Sequence, residues 1–513
     1  MFDQENHFDP AVARKWGVLL VLLAVLGLGA VAISSQSLWI DEVYTALKAQ
    51  QSTLPNWWIE MRHAGGSDLQ MPLYMLWIWV CEKFFGASEI ALRAVNLFWV
   101  LPGLLAWWVG LARQPRLQLA VFLVTLCNPF VWYYLDEARP YAMQIGASLF
   151  LAATLCRWSQ KPFSSATLET FWVWGFVVAL VALSGASMLG MIWAGAAIVA
   201  AIFLTPQERR LKLGREHVLA WLAMMVLLAG LGFYYLWTLH AGARASAIAA
   251  TDGKNVAFIG YELLGFAGLG PGRLEIRSGG LHVFKPYAPE LACFGAVVLA
   301  LVIFGVRAAR QNYPRKKLLG LACIVAAPAS FILAAGFLMH FRVLGRHFAP
   351  LLPAVVFLLG LGISAAWRRG GVGKILVAAF FMLCLASGLA LKLAARHAKD
   401  DYRSAAGLAR AALVEGKSVW WSADPNAAGY YQLPVTKYYT ETNFNERGKA
   451  FSMVNPAADS LATIVAPDVV FVSRTDIYDP HGVVADYLAR NHFQRTAVLP
   501  AFVVLEKPVA SSR

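Results

Sequence analysis

The chain has 513 residues, of which 59% are hydrophobic and 14% charged. Its mean hydropathy is +0.56, and apolar runs of about 20 residues recur along it, which excludes an ordinary soluble globular protein and marks a polytopic membrane protein. The net charge of +14 does not call for nucleic acid, because the excess Lys and Arg falls in short connections between apolar runs, where it sets topology.

In chain order, the pattern predicts spans near 17–34, 90–110, 117–133, 141–156, 169–184, 186–204, 218–238, 289–306, 318–338, 348–366 and 374–394. The first lacks a small-x-small cleavage site and reads as a retained helix rather than a removed leader. The run from Phe171 to Leu204 is too long for one helix, and Ser184-Gly185-Ala186-Ser187 is its natural break. Placing the N-terminus in the cytoplasm makes every inside connection basic: Arg14 and Lys15, Arg113 and Arg116, Arg157 and Lys161, the 209–215 cluster, the 307–317 cluster, and Arg368, Arg369 and Lys374. An odd number of spans then leaves the tail outside. Pro72 to Phe85 is apolar but spans only about 14 residues, which suits a helix lying along the outer surface. Asn56 to His63 reads as a second surface helix.

From about residue 399 the composition becomes ordinary. Apolar strand-like runs at Ser418–Ser422, Asp468–Ser473 and Ala497–Leu505 alternate with helical stretches at Ser404–Glu415 and Val483–Arg490. The chain therefore divides into a membrane domain, 1–398, with long outer loops 35–88 and 239–290, and an outer α/β domain, 399–513. The six cysteines sit in apolar stretches without metal or CxxC spacing and read as small core residues.

Two Asp-Glu pairs are assigned to the outer side. Asp41–Glu42 follows the first span, and Asp136–Glu137 follows the third, inside Tyr133-Tyr134-Leu135-Asp136-Glu137-Ala138-Arg139-Pro140-Tyr141. Carboxylates at a bilayer boundary are costly to desolvate and point to function; one of them can act as a general base. Arg93, at the start of the second span, can pair with Glu89 or with a carboxylate of the site. The run from Tyr261 to Arg273 holds four glycines and a proline. It reads as a compact, exposed backbone that can approach a phosphate or sugar, with Arg273 or Arg277 supplying charge; a plain surface loop explains it equally well. Arg342 and Arg346 run against the topological trend, and a lipid phosphate is the physical reason for an Arg there. For Arg342, snorkelling to headgroups suffices.

The order of these motifs resembles a known family. An acidic pair after the first helix is followed by a Pro-Leu-Tyr surface segment, Ser-Glu-x-x-Leu-Arg opening the second helix, and Tyr-Tyr-x-x-Glu-Ala-Arg-Pro-Tyr after the third. This is similar to the GT-C class of polyprenyl-phosphate-sugar-dependent glycosyltransferases. The nearest group is the bacterial branch of the protein O-mannosyltransferase family, which also includes the lipid A aminoarabinose transferase. Asp400-Asp401-Tyr402-Arg403 also fits. The resemblance implies a GT-C-like helical membrane protein of about eleven spans with a small outer α/β domain, in a bacterial inner membrane. It implies an inverting transfer from a polyprenyl-phosphate-linked sugar to a hydroxyl of a lipid, glycan or protein acceptor. On matching positions, the resemblance implies that Asp41 is the general base, Glu42 orients a substrate, Glu137 and Arg139 organise the site and Arg346 holds the lipid phosphate; Arg93, Asp136, Tyr141 and Arg273 are further candidates for substrate binding. No cofactor is required, since Arg can neutralise the leaving group, although a divalent metal can do the same. The chain departs from the family at Leu69-Gln70-Met71-Pro72, where many relatives have His-Pro-Pro, and at Ser184-Gly185-Ala186-Ser187, where many have Thr-His. These departures leave sugar and acceptor open. Two other classes stay in view: a lipid or polysaccharide transporter, which calls for repeated halves and mid-membrane charge, and a silent envelope-assembly scaffold.

Overall fold

The computed structural model describes residues 10–64, 66–160, 165–240, 251–438, 448–453, 461 and 467–508. The chain divides into two compact units, one made of residues 1–34, 49–270 and 284–391, the other of residues 35–48, 271–283 and 392–513.

The first unit is helical. Seven of its described helices are long and apolar enough to cross a membrane: Glu89–Gly110, Ala166–Ala186, Val218–His240, Gly280–Asn312, Arg315–Leu338, Gly345–Arg368 and Gly371–Leu393. Trp16–Ala32 and Met188–Leu204 are shorter apolar helices. The last expected segment is the helix Tyr141–Trp158, buried along most of its length. Every expected span thus falls on a helix, and the protein is a polytopic helical membrane protein.

The span expected at 117–133 is not one straight helix. Pro115–Cys127 and Pro129–Leu135 meet at a 52° bend. Pro129 has no N–H to continue the ladder, so the chain turns there. Asn128 sits extended at the break and accepts a hydrogen bond from the Phe130 N–H at 2.8 Å. The long apolar run breaks where the sequence predicted, with Ser187 extended and capping the next helix through Leu189 N–H. Pro72–Phe85 forms a helix of its own, and Leu54–Ala64 another.

Small residues let the helices of this unit approach closely. A side chain at Gly146 would collide with the Trp99 carbonyl, and one at Gly103 with Gly146 itself. Lipid supplies little hydrophobic drive between helices, so such close packing carries much of their association.

In the second unit, six strands form one sheet among the described residues, in the order β2-β3-β1-β4-β6-β5. They are β1 (Val419–Ser422), β2 (Val435–Tyr438), β3 (Ala450–Met453), β4 (Val469–Ser473), β5 (Gln494–Leu499) and β6 (Phe502–Glu506). The first four are parallel, and the last two return antiparallel as a hairpin. β1 is buried throughout and β4 nearly so, as parallel strands covered on both faces must be. Trp420 packs with Phe451, Val470, Val484 and Tyr487 on one face. Trp421 faces Tyr402, Phe471 and Phe502 on the other. The run Ala497–Leu505, expected as one strand, is two. Pro500 and Ala501 make its turn, with Ala501 at φ 65°, because proline cannot sit in the middle of a ladder.

The glycine run from Tyr261 to Arg273 is a correction. It was expected to be exposed, yet Gly265, Gly268, Gly270 and Gly272 are all buried. Gly268 lies against the Ser387 backbone, where no side chain fits, and its N–H donates to Ser387 Oγ at 3.1 Å. Glycine here serves helix packing rather than an open ligand loop. The surrounding segment is also largely helical, with Gly253–Leu263 and Arg273–Gly279 inside the expected loop 239–290; residues 241–250 of that loop lie outside the described residues.

Candidate active site

In the second unit, the first acidic pair opens the helix Ile40–Ala49. Two carboxylates in a first turn are favoured by the positive end of the helix dipole. Glu42 is fully buried and folds back to accept from the Trp39 N–H at 3.3 Å. Its carboxylate also receives Lys399 Nζ on both oxygens, at 3.2 and 3.3 Å. Lys399 is itself tied down, its N–H donating to Gln36 Oε1 at 2.9 Å. Asp41, one residue away, is only half-buried. Successive side chains on a helix point in different directions. The pair is therefore split into a buried, clamped Glu42 and a more accessible Asp41.

The residues after Lys399 take three separate tasks. Asp401 caps the helix Tyr402–Val414 through the Ser404 N–H at 3.0 Å, the ordinary role of an Asp before a helix. Asp400 is buried and pairs with Arg474 at 3.5 Å. Burial pushes its carboxyl up to about 6, against the pull of Arg277 and Arg273, with the Asp41 charge pushing the same way as burial. Arg474 is held in a left-handed backbone conformation, φ 44°, which costs a non-glycine residue about 1–3 kcal/mol and tends to mark functional sites. Arg277 reaches Asp476 at 3.9 Å.

Tyr44, one turn along from Asp41, donates to Asp424 Oδ2 at 3.1 Å and accepts from Asn426 Nδ2 at 2.8 Å. Burial, then the Asp424 charge, pushes its hydroxyl up to about 12, with Asp41 adding to the shift. Asp41 is thus within electrostatic reach of both Asp400 and Tyr44. Of the residues predicted from sequence, Asp41, Glu42 and Arg273 belong to this unit. Arg273 opens the helix Arg273–Gly279. Lys399, Asp400, Arg474 and Asp424 were not singled out as site residues. The Lys399-to-Arg403 run carried the only local signal, a dense charge cluster just after the last span.

In the first unit, the second acidic pair sits in the turn between Pro129–Leu135 and Tyr141–Trp158. Asn96 Nδ2 holds that turn by donating to the carbonyls of Leu135 and Glu137, at 3.1 and 2.7 Å. Asp136 accepts from the Ser34 N–H at 2.7 Å and from Ser34 Oγ at 2.9 Å. Arg93 approaches it at 3.8 Å and also donates to the Ser34 carbonyl at 2.8 Å. The expected pairing of Arg93 with a carboxylate of the site is thus observed. Arg139 pairs with Asp68 at 2.9 Å, both buried, and its other nitrogen contacts Met71 Sδ at 3.7 Å. Asp68 was missed because its partner lies 71 residues away and its short turn, Gly66–Gln70, has no motif. Glu137 is fully buried.

Tyr141 stacks edge-on against Tyr134, centroids 4.9 Å apart, and Arg346 lies over the Tyr141 ring at 5.5 Å, a cation–π arrangement. Beside Arg346, Gly345 packs against the Glu262 carboxylate, leaving no room for a side chain. Arg93, Asp136, Glu137, Arg139, Tyr141 and Arg346 thus all belong to this unit. Three donors at metal-ligand spacing occur, among the described residues, at Glu169, Glu216 and His217, a group that includes neither acidic pair.

Comparison with known proteins bears on the fold. ArnT from Cupriavidus metallidurans in the apo state superposes with a TM-score of 0.52 at 15% identity, over 97% of this chain and 99% of that one. ArnT from the same organism bound to undecaprenyl phosphate gives 0.49 at 16% identity, with the same coverage. The arabinofuranosyltransferase AftD from Mycobacteria gives 0.38 at 12% identity, over 97% of this chain and 40% of that one. No protein-family profile matches the chain, and no curated protein matches it. The chain has the fold of apo ArnT along nearly its whole length, the fold expected from the GT-C resemblance.

Proposed function

We propose that this protein is an inverting glycosyltransferase of the GT-C class. It moves a sugar from a polyprenyl-phosphate carrier to an acceptor hydroxyl at the outer face of a bacterial inner membrane. The observation that carries this reading is the difference within the first acidic pair: Glu42 clamped by Lys399 and fully buried, Asp41 half-buried beside it. The ArnT fold and the motif order support the same reading.

In this mechanism Asp41 takes the proton from the acceptor hydroxyl as its oxygen attacks the anomeric carbon. The bond from that carbon to the phosphate oxygen breaks, and the lipid phosphate leaves with the electron pair. Attack opposite the leaving group inverts the anomeric centre. A positioned base contributes roughly 10²–10⁴-fold in such a step. Lys399 clamps the Glu42 carboxylate and so fixes the helix end that presents Asp41. Arg346, a planar guanidinium suited to phosphate oxygens, is the residue assigned to the lipid phosphate, and Arg93, Glu137 and Arg139 are assigned to the framework. A divalent cation is not required by this scheme but is compatible with it.

The test is transfer from a panel of radiolabelled polyprenyl-phosphate sugars in proteoliposomes, with the product's anomeric configuration read by NMR. Transfer with inversion is expected from one donor. Retention would overturn the single-displacement step. Transport of the donor without transfer would favour the transporter reading, and neither activity would favour a scaffold.

A further inference from the structure

We propose a second site, for a divalent transition ion of the zinc class, formed by Glu169, Glu216 and His217 in the first unit. The sequence brings them together simply. Glu169 lies in the first turn of the helix Ala166–Ala186. Glu216 ends the helix Gln207–Glu216, and His217 is the residue between that helix and Val218–His240. Their donor atoms all lie within 4.8 Å of one another.

The observation that points to a ligand is His217. Its side chain is nine-tenths buried, and its Nε2 has no hydrogen-bond partner. That nitrogen faces Glu169 Oε1 at 3.7 Å, too long for a hydrogen bond. A buried imidazole nitrogen without a partner is costly. Two donors on one tetrahedral zinc, each about 2.0–2.2 Å from the ion, sit about 3.4 Å apart. The His217–Glu169 separation is therefore a few tenths of an ångström from a ligand pair. Glu216, whose side chain is half-exposed, has the freedom to turn in as the third ligand, leaving a fourth position for water. One imidazole and two carboxylates select a zinc-class ion over calcium or magnesium, which take oxygen almost throughout.

Among the described residues, Lys212 and Arg209 also bring charge to this cluster. Lys212 Nζ stands 3.8 Å from Glu169 and 3.6 Å from Glu216, loosely placed between the two carboxylates. Its side chain is 56% exposed, so it can swing into solvent when an ion arrives. Arg209 donates to the Trp158 and Gln160 carbonyls at 2.9 and 3.0 Å, and its charge also acts on Glu169. Trp221, four residues beyond His217, packs on Trp158 and Phe176. A bound ion would pin the start of one membrane helix to the start of another. The role is structural and does not depend on the proposed transfer reaction.

The experiment is zinc stoichiometry on the full-length, detergent-purified protein by mass spectrometry, after stripping and reloading with zinc chloride, together with the melting temperature with and without zinc. The proposal expects one tightly held zinc per chain that raises Tm, and loss of both in His217→Ala and Glu169→Gln. Glu216→Gln, at an exposed position where folding is not at risk, is expected to weaken zinc binding at least 10-fold. Lys212→Met, which removes the competing ammonium, is expected to tighten it. Absence of zinc from the wild type would overturn the site, and so would zinc retained equally in His217→Ala and Glu216→Gln.

Discussion

The same dipeptide, Asp-Glu, is used in two different ways in this molecule. In the first unit, Asp136 and Glu137 are both buried, and Asp136 spends its oxygens on Ser34 and Arg93. In the second unit, Glu42 is buried against Lys399, while Asp41 keeps partial access to solvent. A general base must be reached by the proton it takes. Two acidic pairs alike in sequence thus differ in burial: three of the four carboxylates are buried, and Asp41 alone of the four keeps partial exposure, which is why the proposed mechanism gives it the proton transfer.

The largest effect expected from breaking the framework is at Arg139. Arg139→Ala leaves Asp68 charged and buried, which costs about 3–5 kcal/mol, so the protein should show a sharply lower Tm or fail to accumulate. Arg139→Lys should recover only part of this, because an ammonium cannot reproduce the guanidinium geometry. In the second unit, Lys399→Met removes the ammonium that clamps buried Glu42. It should lower stability by about 2–4 kcal/mol and reduce kcat more than KM, while Lys399→Arg should rescue much of the loss. A Lys399→Met protein with unchanged turnover would remove the clamp from the account.

A smaller loss is expected at Gly345, where a methyl group meets the Glu262 carboxylate. Gly345→Ala should cost about 1–3 kcal/mol through overpacking, read as a drop in Tm. The smallest effect is a pH dependence. Asp400 titrates in the fold at about 6, raised by burial from 3.8. A raised carboxyl means that the fold resists its ionisation, so this group's contribution to stability falls as pH rises from about 4 to about 6, then levels. Its charge also bears on Asp41. The rate profile of transfer should bend near pH 6, and Asp400→Asn should remove that bend. A bend surviving in Asp400→Asn would assign it to another group.

Much of this was legible in the sequence because it was local. A 14-residue apolar run between Pro72 and Gly86 defines its own helix, and Pro129 announces a bend once a helix is drawn through it. The alternation of apolar strands and helices gave the C-terminal sheet domain its class, and the basic connections offered an orientation to test. What stayed hidden depends on distant partners. Asp68 pairs with Arg139 across 71 positions, and Lys399 meets Glu42 across 357; neither has a spacing that sequence periodicity can reveal. The glycine run misled for the opposite reason. Its composition suits an exposed loop, but glycine also serves where two backbones touch, and only packing against residues such as Ser387 tells the two apart.

The most direct measurement is a paired one: sugar transfer and Tm for Asp41→Asn and Asp136→Asn beside the wild type, in the same proteoliposomes and with the same donor. The account predicts that Asp41→Asn keeps its Tm within a few degrees and loses transfer by about 10²–10⁴-fold, whereas Asp136→Asn loses stability first. Full transfer by a folded Asp41→Asn protein would contradict it.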